Sequence, residues 1–270
     1  MPGPERPAAS LGFDPTRPNG ARVYDYFLGG KDNFAADREA AEQVRRLLPE
    51  MPMVARENRR FLGRVTRFLV DAGIRQFIDI GTGLPTQGHV HEILQSLAPD
   101  ARVVYVDHDP VVIVHAQAML EGNGRTAVVP ADLRSPDDIL AAPQLRRLID
   151  LEQPVGIMLL AVLPFVPDDD EVRHTITQLH KAVAPGSYVA ISHTLPHARR
   201  EVREELAAAY RVPLMGVPEQ RTASQITALL DDWDIVEPGV VRLPAWRPEL
   251  GGIVQDPGPI WLIGGVARKN

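Results

Sequence analysis

Phe77-Ile78-Asp79-Ile80-Gly81-Thr82-Gly83 and, one helix-forming segment later, Tyr105-Val106-Asp107 decide how this chain is read. An apolar run ends in an acid and two alternating glycines. A second apolar run then ends in another acid. This is the pattern of a strand–glycine turn–helix–strand unit that holds a ribose-bearing cofactor. The glycines let backbone N–H groups approach a ligand with no Cβ in the way. The acid at the end of the second strand accepts hydrogen bonds from ribose hydroxyls.

Such a unit suits a dinucleotide or S-adenosylmethionine, and three details favour the second. The dinucleotide fingerprint has a third glycine three residues after the second, where this chain has Thr86. Pro85 fits the first turn of the helix that follows. Asp79 sits just before the first glycine, where it orders the loop or meets an ammonium group; a pyrophosphate would be repelled there.

Working outward, apolar runs and helical periodicity alternate. Strands are expected at Gln76–Ile80, Val103–Asp107, Thr126–Val129, Gly156–Ala161, Ser187–Ser192, Ile235–Arg242 and Ile260–Ala267. Helices are expected at Thr86–Leu97, Pro110–Glu121, Pro136–Leu140, Asp169–Val183, Pro196–Ala209 and Ala223–Leu230. The alternation implies an α/β, doubly wound, mostly parallel seven-stranded sheet joined by right-handed crossovers. The last two strands follow each other without a helix-length gap, so they form an antiparallel hairpin. Its long Pro/Gly-rich connection, Leu243–Pro259, is of a kind often functional. Upstream, residues 1–18 read as a flexible tail, residues 19–73 as a Gly/aromatic motif plus helices near Ala36–Leu48 and Val54–Ala72, and residues 74–270 as the main domain. There is no internal repeat.

The composition narrows the class. With 270 residues and 44% hydrophobic content the chain can bury a full core. A net charge of −6 gives no general reason to bind nucleic acid; Arg59-Arg60 and Arg199-Arg200 are candidate local basic patches, with solvated helix faces as the favoured reading. The chain has no cysteine, which excludes disulfides and thiolate metal sites. No signal peptide and no run long enough to span a bilayer are found, so a cytoplasmic protein is expected. The His89–His91 spacing does not put two ligands on one helix face, so no metal site is expected.

Five parallel strands closed by a hairpin, with ligand motifs at the first two strand ends, resemble the class I S-adenosylmethionine-dependent methyltransferase fold. A more specific resemblance lies in Asn19-Gly20-Ala21-Arg22-Val23-Tyr24-Asp25-Tyr26-Phe27-Leu28-Gly29-Gly30-Lys31-Asp32-Asn33-Phe34, in Asp79 to Thr86, in Val106-Asp107-His108-Asp109-Pro110 and in the closing Gly264-Gly265-Val266-Ala267-Arg268-Lys269. These stretches resemble an actinobacterial family of S-adenosylmethionine-dependent methyltransferases of unknown substrate, long a domain of unknown function. The resemblance implies an S-adenosylmethionine cofactor. One departure stands out. Where that family often places histidine after the fourth strand, this chain has Ala161-Val162-Leu163-Pro164-Phe165, and Pro164 cannot act as a base.

The candidate cofactor residues follow. Gly81, Thr82 and Gly83 bring backbone to the methionine end beside Asp79. Asp107 accepts the ribose hydroxyls, with Asp109 as the better helix cap before Pro110. His108 flanks the adenine or faces solvent. Asp132 accepts from the adenine amine and Leu133 offers its N–H, against the alternative of a helix start. Ala161 and Val162 form a small apolar floor suited to a sulfonium, or are ordinary core. Arg22, Tyr26, Gly29 and Gly30 form a lid in which Arg22 pairs with the methionine carboxylate and the tyrosine face meets the sulfonium; packing against the second N-terminal helix is the alternative. His193, at the end of the fifth strand, is the candidate general base. Trp246 and Trp261 are acceptor walls or buried core. The expected activity is methyl transfer to a small-molecule acceptor. The alternative is a catalytically silent cofactor-binding module, and a nicotinamide oxidoreductase is disfavoured by Thr86 and the hairpin.

Overall fold

In the computed structural model, which describes residues 14–84, 90–120, 124–196, 218–248 and 260–270 together with 201, 204 and 205, the run Gln76–Ile80 is strand β1, buried along its whole length. The further strands are β2 (Arg102–Asp107), β3 (Thr126–Pro130), β4 (Gly156–Leu160), β5 (Tyr188–Thr194), β6 (Asp234–Ile235), β7 (Val241–Arg242) and β8 (Leu262–Arg268). They form one eight-stranded sheet in the order β3-β2-β1-β4-β5-β8-β6, with β7 also paired to β8. β1 to β5 run parallel, and β8 runs antiparallel to β5. The strand order reverses at β1, between β2 and β4. That is the switch point at which open α/β sheets form a ligand crevice beyond the strand ends.

The expected strand Ile235–Arg242 is two short strands instead, which makes eight among the described residues rather than seven. Pro238 lacks the N–H a ladder needs, and Gly239, at φ +91°, closes a turn by donating its N–H to Val236 O at 2.9 Å. β8 then pairs with both pieces. Its glycines are steric: a Cβ on Gly264 would lie 2.7 Å from Ile191 O and 2.8 Å from the Phe61 ring.

The helices are α1 (Gly20–Leu28), α2 (Ala35–Leu47), α3 (Met51–Asp71), α4 (Val90–Leu97), α5 (Pro110–Leu120), α6 (Pro136–Ala141), α7 (Pro143–Leu148), α8 (Asp169–Ala182) and α9 (Ala223–Ala228). Two were not expected. α1 lies in the Gly/aromatic motif, and α7 starts at Pro143, with Ala142 alone between it and α6. The residues expected to begin α4 at Thr86, most of the expected helix Pro196–Ala209, and residues 249–259 of the Leu243–Pro259 connection lie outside the described residues. Side chains alternate across the sheet. Ile78, Ile80, Val104 and Ile157 pack against α6 to α9, whereas Phe77, Val103, Tyr105 and Met158 pack against α3, α4 and α5. A third cluster joins α1, α2 and the start of α3 through Val23, Phe27, Ala41, Val44 and Ala55. Among the described residues no helix is long and apolar enough to cross a membrane.

Candidate functional site

The ends of β1 and β2 are tied together by the residues singled out from the sequence. Asp107 is 8% exposed. Its carboxylate accepts the Gly83 N–H at 3.0 Å through Oδ2 and the Asp109 N–H at 3.0 Å through Oδ1. Each oxygen keeps a lone pair for a further donor. Burial raises its pKa. Asp109 caps α5 by accepting from Val111 N at 2.7 Å. Gly81 and Gly83 both adopt positive φ, +72° and +66°, and they do so for different reasons. A Cβ on Gly81 would sit 2.2 Å from Val162 Cγ2, whereas one on Gly83 would meet nothing within 4 Å. The first glycine admits the loop after β4, and the second faces open space. Asp79 is buried and accepts from Thr82 Oγ1 at 2.8 Å. Burial lifts its pKa to about 6.

At the end of β4, Ala161 has φ +56°, an uncommon conformation for a non-glycine residue. Its N–H donates to Ser192 O at 3.1 Å, which turns Val162 onto Gly81. Beyond β3, Asp132 is gripped by Arg134 through two side-chain bonds of 3.0 and 2.6 Å. That contact holds its pKa down at about 2. Leu133 is buried and its carbonyl accepts from Thr175 at 3.0 Å. His108 is exposed, with Nδ1 3.9 Å from Asp107 Oδ1. Asp79, Gly81, Thr82, Gly83, Asp107, His108, Asp132, Leu133, Ala161 and Val162 therefore gather along the ends of β1 to β4.

The N-terminal motif behaves differently from the expected lid. Arg22, expected to pair with a methionine carboxylate, is buried, with Nε 2.8 Å from Asp37 Oδ2 and Nη2 donating to Arg17 O at 2.6 Å. Asp37 also accepts the N–H groups of Asn19 and Phe34 at 2.9 and 2.8 Å, so one carboxylate stitches α1 to α2. Tyr26 is turned to α2, donating to Glu42 at 2.7 Å. Gly29 ends α1 in a left-handed conformation, and Gly30 gives room to the Asp25 carboxylate, which lies 1.8 Å from where a Cβ would be. These four residues make contacts within α1 and between α1 and α2. The start of α1 still overhangs the site: Ala21 packs on Leu84, Val111 and Val112, and Gly20 approaches the Phe165 ring.

His193 is also corrected. It is fully buried. Its Nδ1 lies 2.9 Å from Thr194 O and its Nε2 lies 3.2 Å from Arg221 Nη1. The arginine must donate, so Nε2 is the accepting nitrogen and has no lone pair left for a substrate proton. Burial lowers its pKa to about 4. Arg221, also buried, donates to Asp169 at 2.7 Å, to Leu163 O at 3.2 Å and to Val166 O at 2.9 Å. The pair braces the turn after β4. Trp246 is fully buried core, edge-on to Phe61 at 5.3 Å, and offers no acceptor wall. Trp261 is partly buried between two clusters. A surface cavity lined by Arg102, Arg146, Arg147 and Glu152 opens at the starts of β2 and β4, the sheet edge opposite these strand ends.

Arg59 was missed. It sits on α3, on the same side of the sheet as Asp79 and Tyr105, and its positive charge acts on both. Its guanidinium lies 5.7 Å from the Tyr24 ring centroid. Its Nε is buried with no hydrogen-bond partner, and no ion pair joins it to Asp79. Nothing in the sequence separates it from the exposed Arg60 beside it; only the packing of α3 against β1 does.

The chain matches the family model described as S-adenosyl methyltransferase over residues 6–270. A methyltransferase-like protein from Thermobifida fusca YX of known crystal structure is 40% identical, with a TM-score of 0.89 and coverage of 98% of this chain and 98% of that one. A DUF574 family protein from Streptomyces avermitilis is 39% identical, with a TM-score of 0.86 over 95% of this chain and 99% of that one. Human N-acetylserotonin methyltransferase, solved with S-adenosylmethionine, shares the fold at 16% identity, TM-score 0.50, over 94% of this chain and 63% of its own.

Proposed function

Since the chain belongs to the S-adenosyl methyltransferase family, we propose that it transfers the methyl group of S-adenosylmethionine to a small-molecule acceptor. The observation that carries the reading is Asp107 drawn up against Gly83 across the ends of β1 and β2, with open space where a Gly83 side chain would be. The residues present suit the cofactor's parts. Asp107 has lone pairs for two ribose hydroxyls. Asp79 supplies an acid for the ammonium. Ala161 and Val162 supply an apolar floor, and Asp132 and Leu133 lie where an adenine edge would reach.

When bound, the cofactor supplies an electrophilic methyl group on a cationic sulfur. The chain's part is to hold, orient and exclude water. Alignment of an acceptor with a reacting group can provide much of a rate by itself. The apolar floor at Ala161 and Val162 keeps water from a sulfonium, and α1 roofs the site from the Leu84 and Val111 side. No proton transfer is assigned, because His193 is already engaged on both nitrogens. An acceptor that reacts in its neutral or already ionised form fits such a site.

The engaged His193, together with Pro164, also supports a second reading, a protein that holds the cofactor without turning it over. Titration calorimetry with S-adenosylhomocysteine tests the cofactor site. Asp107→Ala should cost about 1.5–3 kcal/mol of affinity, because a charged acceptor is lost. Unchanged affinity would remove Asp107 from the ribose site. Formation of S-adenosylhomocysteine from S-adenosylmethionine in the presence of a small-molecule extract would decide against the silent reading.

A further inference from the structure

The arginines of α3 divide sharply by what they touch. Arg60 is exposed and meets Glu57 at 3.4 Å. Arg64 is largely buried and engaged through Nε and Nη2, bound to Glu57 at 2.8 Å and to the carbonyls of Trp246 and Leu243 at 3.0 and 2.7 Å. Arg59 alone of these three brings a buried donor, its Nε, to no acceptor. Burying a charged donor without a partner is costly, so such a group marks a place where an acceptor is expected. One wall beside it is the Tyr24 ring. That tyrosine is fixed in turn: its hydroxyl donates to Ala55 O at 3.1 Å and accepts from Asn58 Nδ2 at 3.1 Å. Asn58 accepts from Ser192 Oγ at 2.7 Å. The guanidinium is thus held against a braced aromatic face. Asp79 lies within reach of its field but not in contact with it.

A buried acid and a half-buried cation that do not pair, the cation near enough for its charge to act on the acid, match the two ends of an α-amino acid. We propose that Arg59 is the residue that binds the methionine carboxylate, with Asp79 taking the ammonium, and that this couple selects cofactors carrying an intact amino-acid tail. The role expected of Arg22 moves to α3. The inference rests on the S-adenosylmethionine reading. It adds a specificity: decarboxylated S-adenosyl compounds, which keep the sulfur, the ribose and the adenine, are rejected at Arg59.

The test is a cycle between side chain and ligand. Calorimetry is run on wild type and Arg59→Met with three probes: S-adenosylhomocysteine, its decarboxylated analogue, and 5′-methylthioadenosine, which lacks the amino-acid tail. In wild type, losing the carboxylate should weaken binding about 10- to 100-fold, the range for a hydrogen bond to a charged group. Arg59→Met should weaken S-adenosylhomocysteine by a similar factor. It should leave the decarboxylated analogue and 5′-methylthioadenosine within about twofold, and Arg59→Lys should restore part of the loss. A purely structural role for Arg59 would weaken all three probes together, and that result overturns the proposal. Equal wild-type affinity for the acid and its decarboxylated analogue overturns it without any variant, so a misfolded Arg59→Met cannot rescue it. A wild type that binds none of the probes defeats the cofactor reading itself and is recognised by the silent 5′-methylthioadenosine arm.

Discussion

The two turn glycines differ in what they forbid, so they should differ on substitution. Gly83→Ala pays only for a left-handed conformation, about 1–2 kcal/mol, since its side chain enters open space. Gly81→Ala meets Val162 Cβ at 2.5 Å as well, and the loop after β4 must move. It should destabilise by more than Gly83→Ala in urea unfolding, and the reverse order would mean that Val162 yields. Burial also sets two opposing titrations. Asp79 rises from 3.8 to about 6 on folding. Its share of stability is complete below about 4 and is lost as pH rises through about 6. His193 falls from 6.5 to about 4. Its share is complete above 6.5 and is lost as pH falls through about 4. The windows overlap and oppose, and Asp107, raised by burial in the same direction as Asp79, adds to the falling arm. Asp79→Asn weakens the falling arm and should make stability climb more steeply with pH across that window than in the wild type, read from urea midpoints at constant slope; an unchanged profile would discard the Asp79 contribution. In the sequence, Gly81, Gly83 and Asp107 were legible because backbone conformation and strand-end position are local properties. Arg59 and His193 were not, because what decides their chemistry lies elsewhere in the chain: β1 for the first, Arg221 for the second.

At the scale of elements, α1 is held by one carboxylate. Asp37, fully buried, accepts from Asn19, Arg22 and Phe34. Asp37→Ala takes the buried acceptor from Arg22 Nε and from two backbone donors, and should cost about 3–5 kcal/mol. Hydrogen exchange without ligand should show slow α1 amides in wild type and fast ones in the variant. Fast exchange of α1 in the wild type would restore the view that the segment orders only around a ligand. This helix had readable boundaries: Asn19 caps its start, accepting from Ala21 N at 2.8 Å, and Gly29 closes it. Those are ordinary stop and start signals, but the density of glycine and aromatic residues drew the reading toward a ligand loop. The parallel strands were legible because buried apolar runs recur at helix-length spacing. The division of β6 from β7 hung on Pro238-Gly239 inside a run that otherwise reads as one strand. α7 was signalled only by Pro143 at its first turn.

At the scale of the whole molecule, the last strand in the sequence is an inner strand of the sheet. β8 lies between β5 on one side and β6 and β7 on the other, and Gly264 makes room for it against Ile191 and Phe61. A chain ending at residue 261 should therefore lose cooperative unfolding altogether rather than a few kcal/mol, which a denaturant titration followed by circular dichroism would report; a cooperative transition in the shortened chain would show that β1 to β5 stand alone. The same placement bears on biosynthesis. A ribosome makes the parallel strands first, at roughly 5–20 residues per second, and β5 then waits with an open row of N–H and C=O groups until β8 emerges. An open edge of this kind is a template for any other extended chain nearby. The interval between the fifth strand and the eighth is thus when a nascent molecule is most exposed to its neighbours, and slow codons between Thr194 and Leu262 would lengthen that exposure.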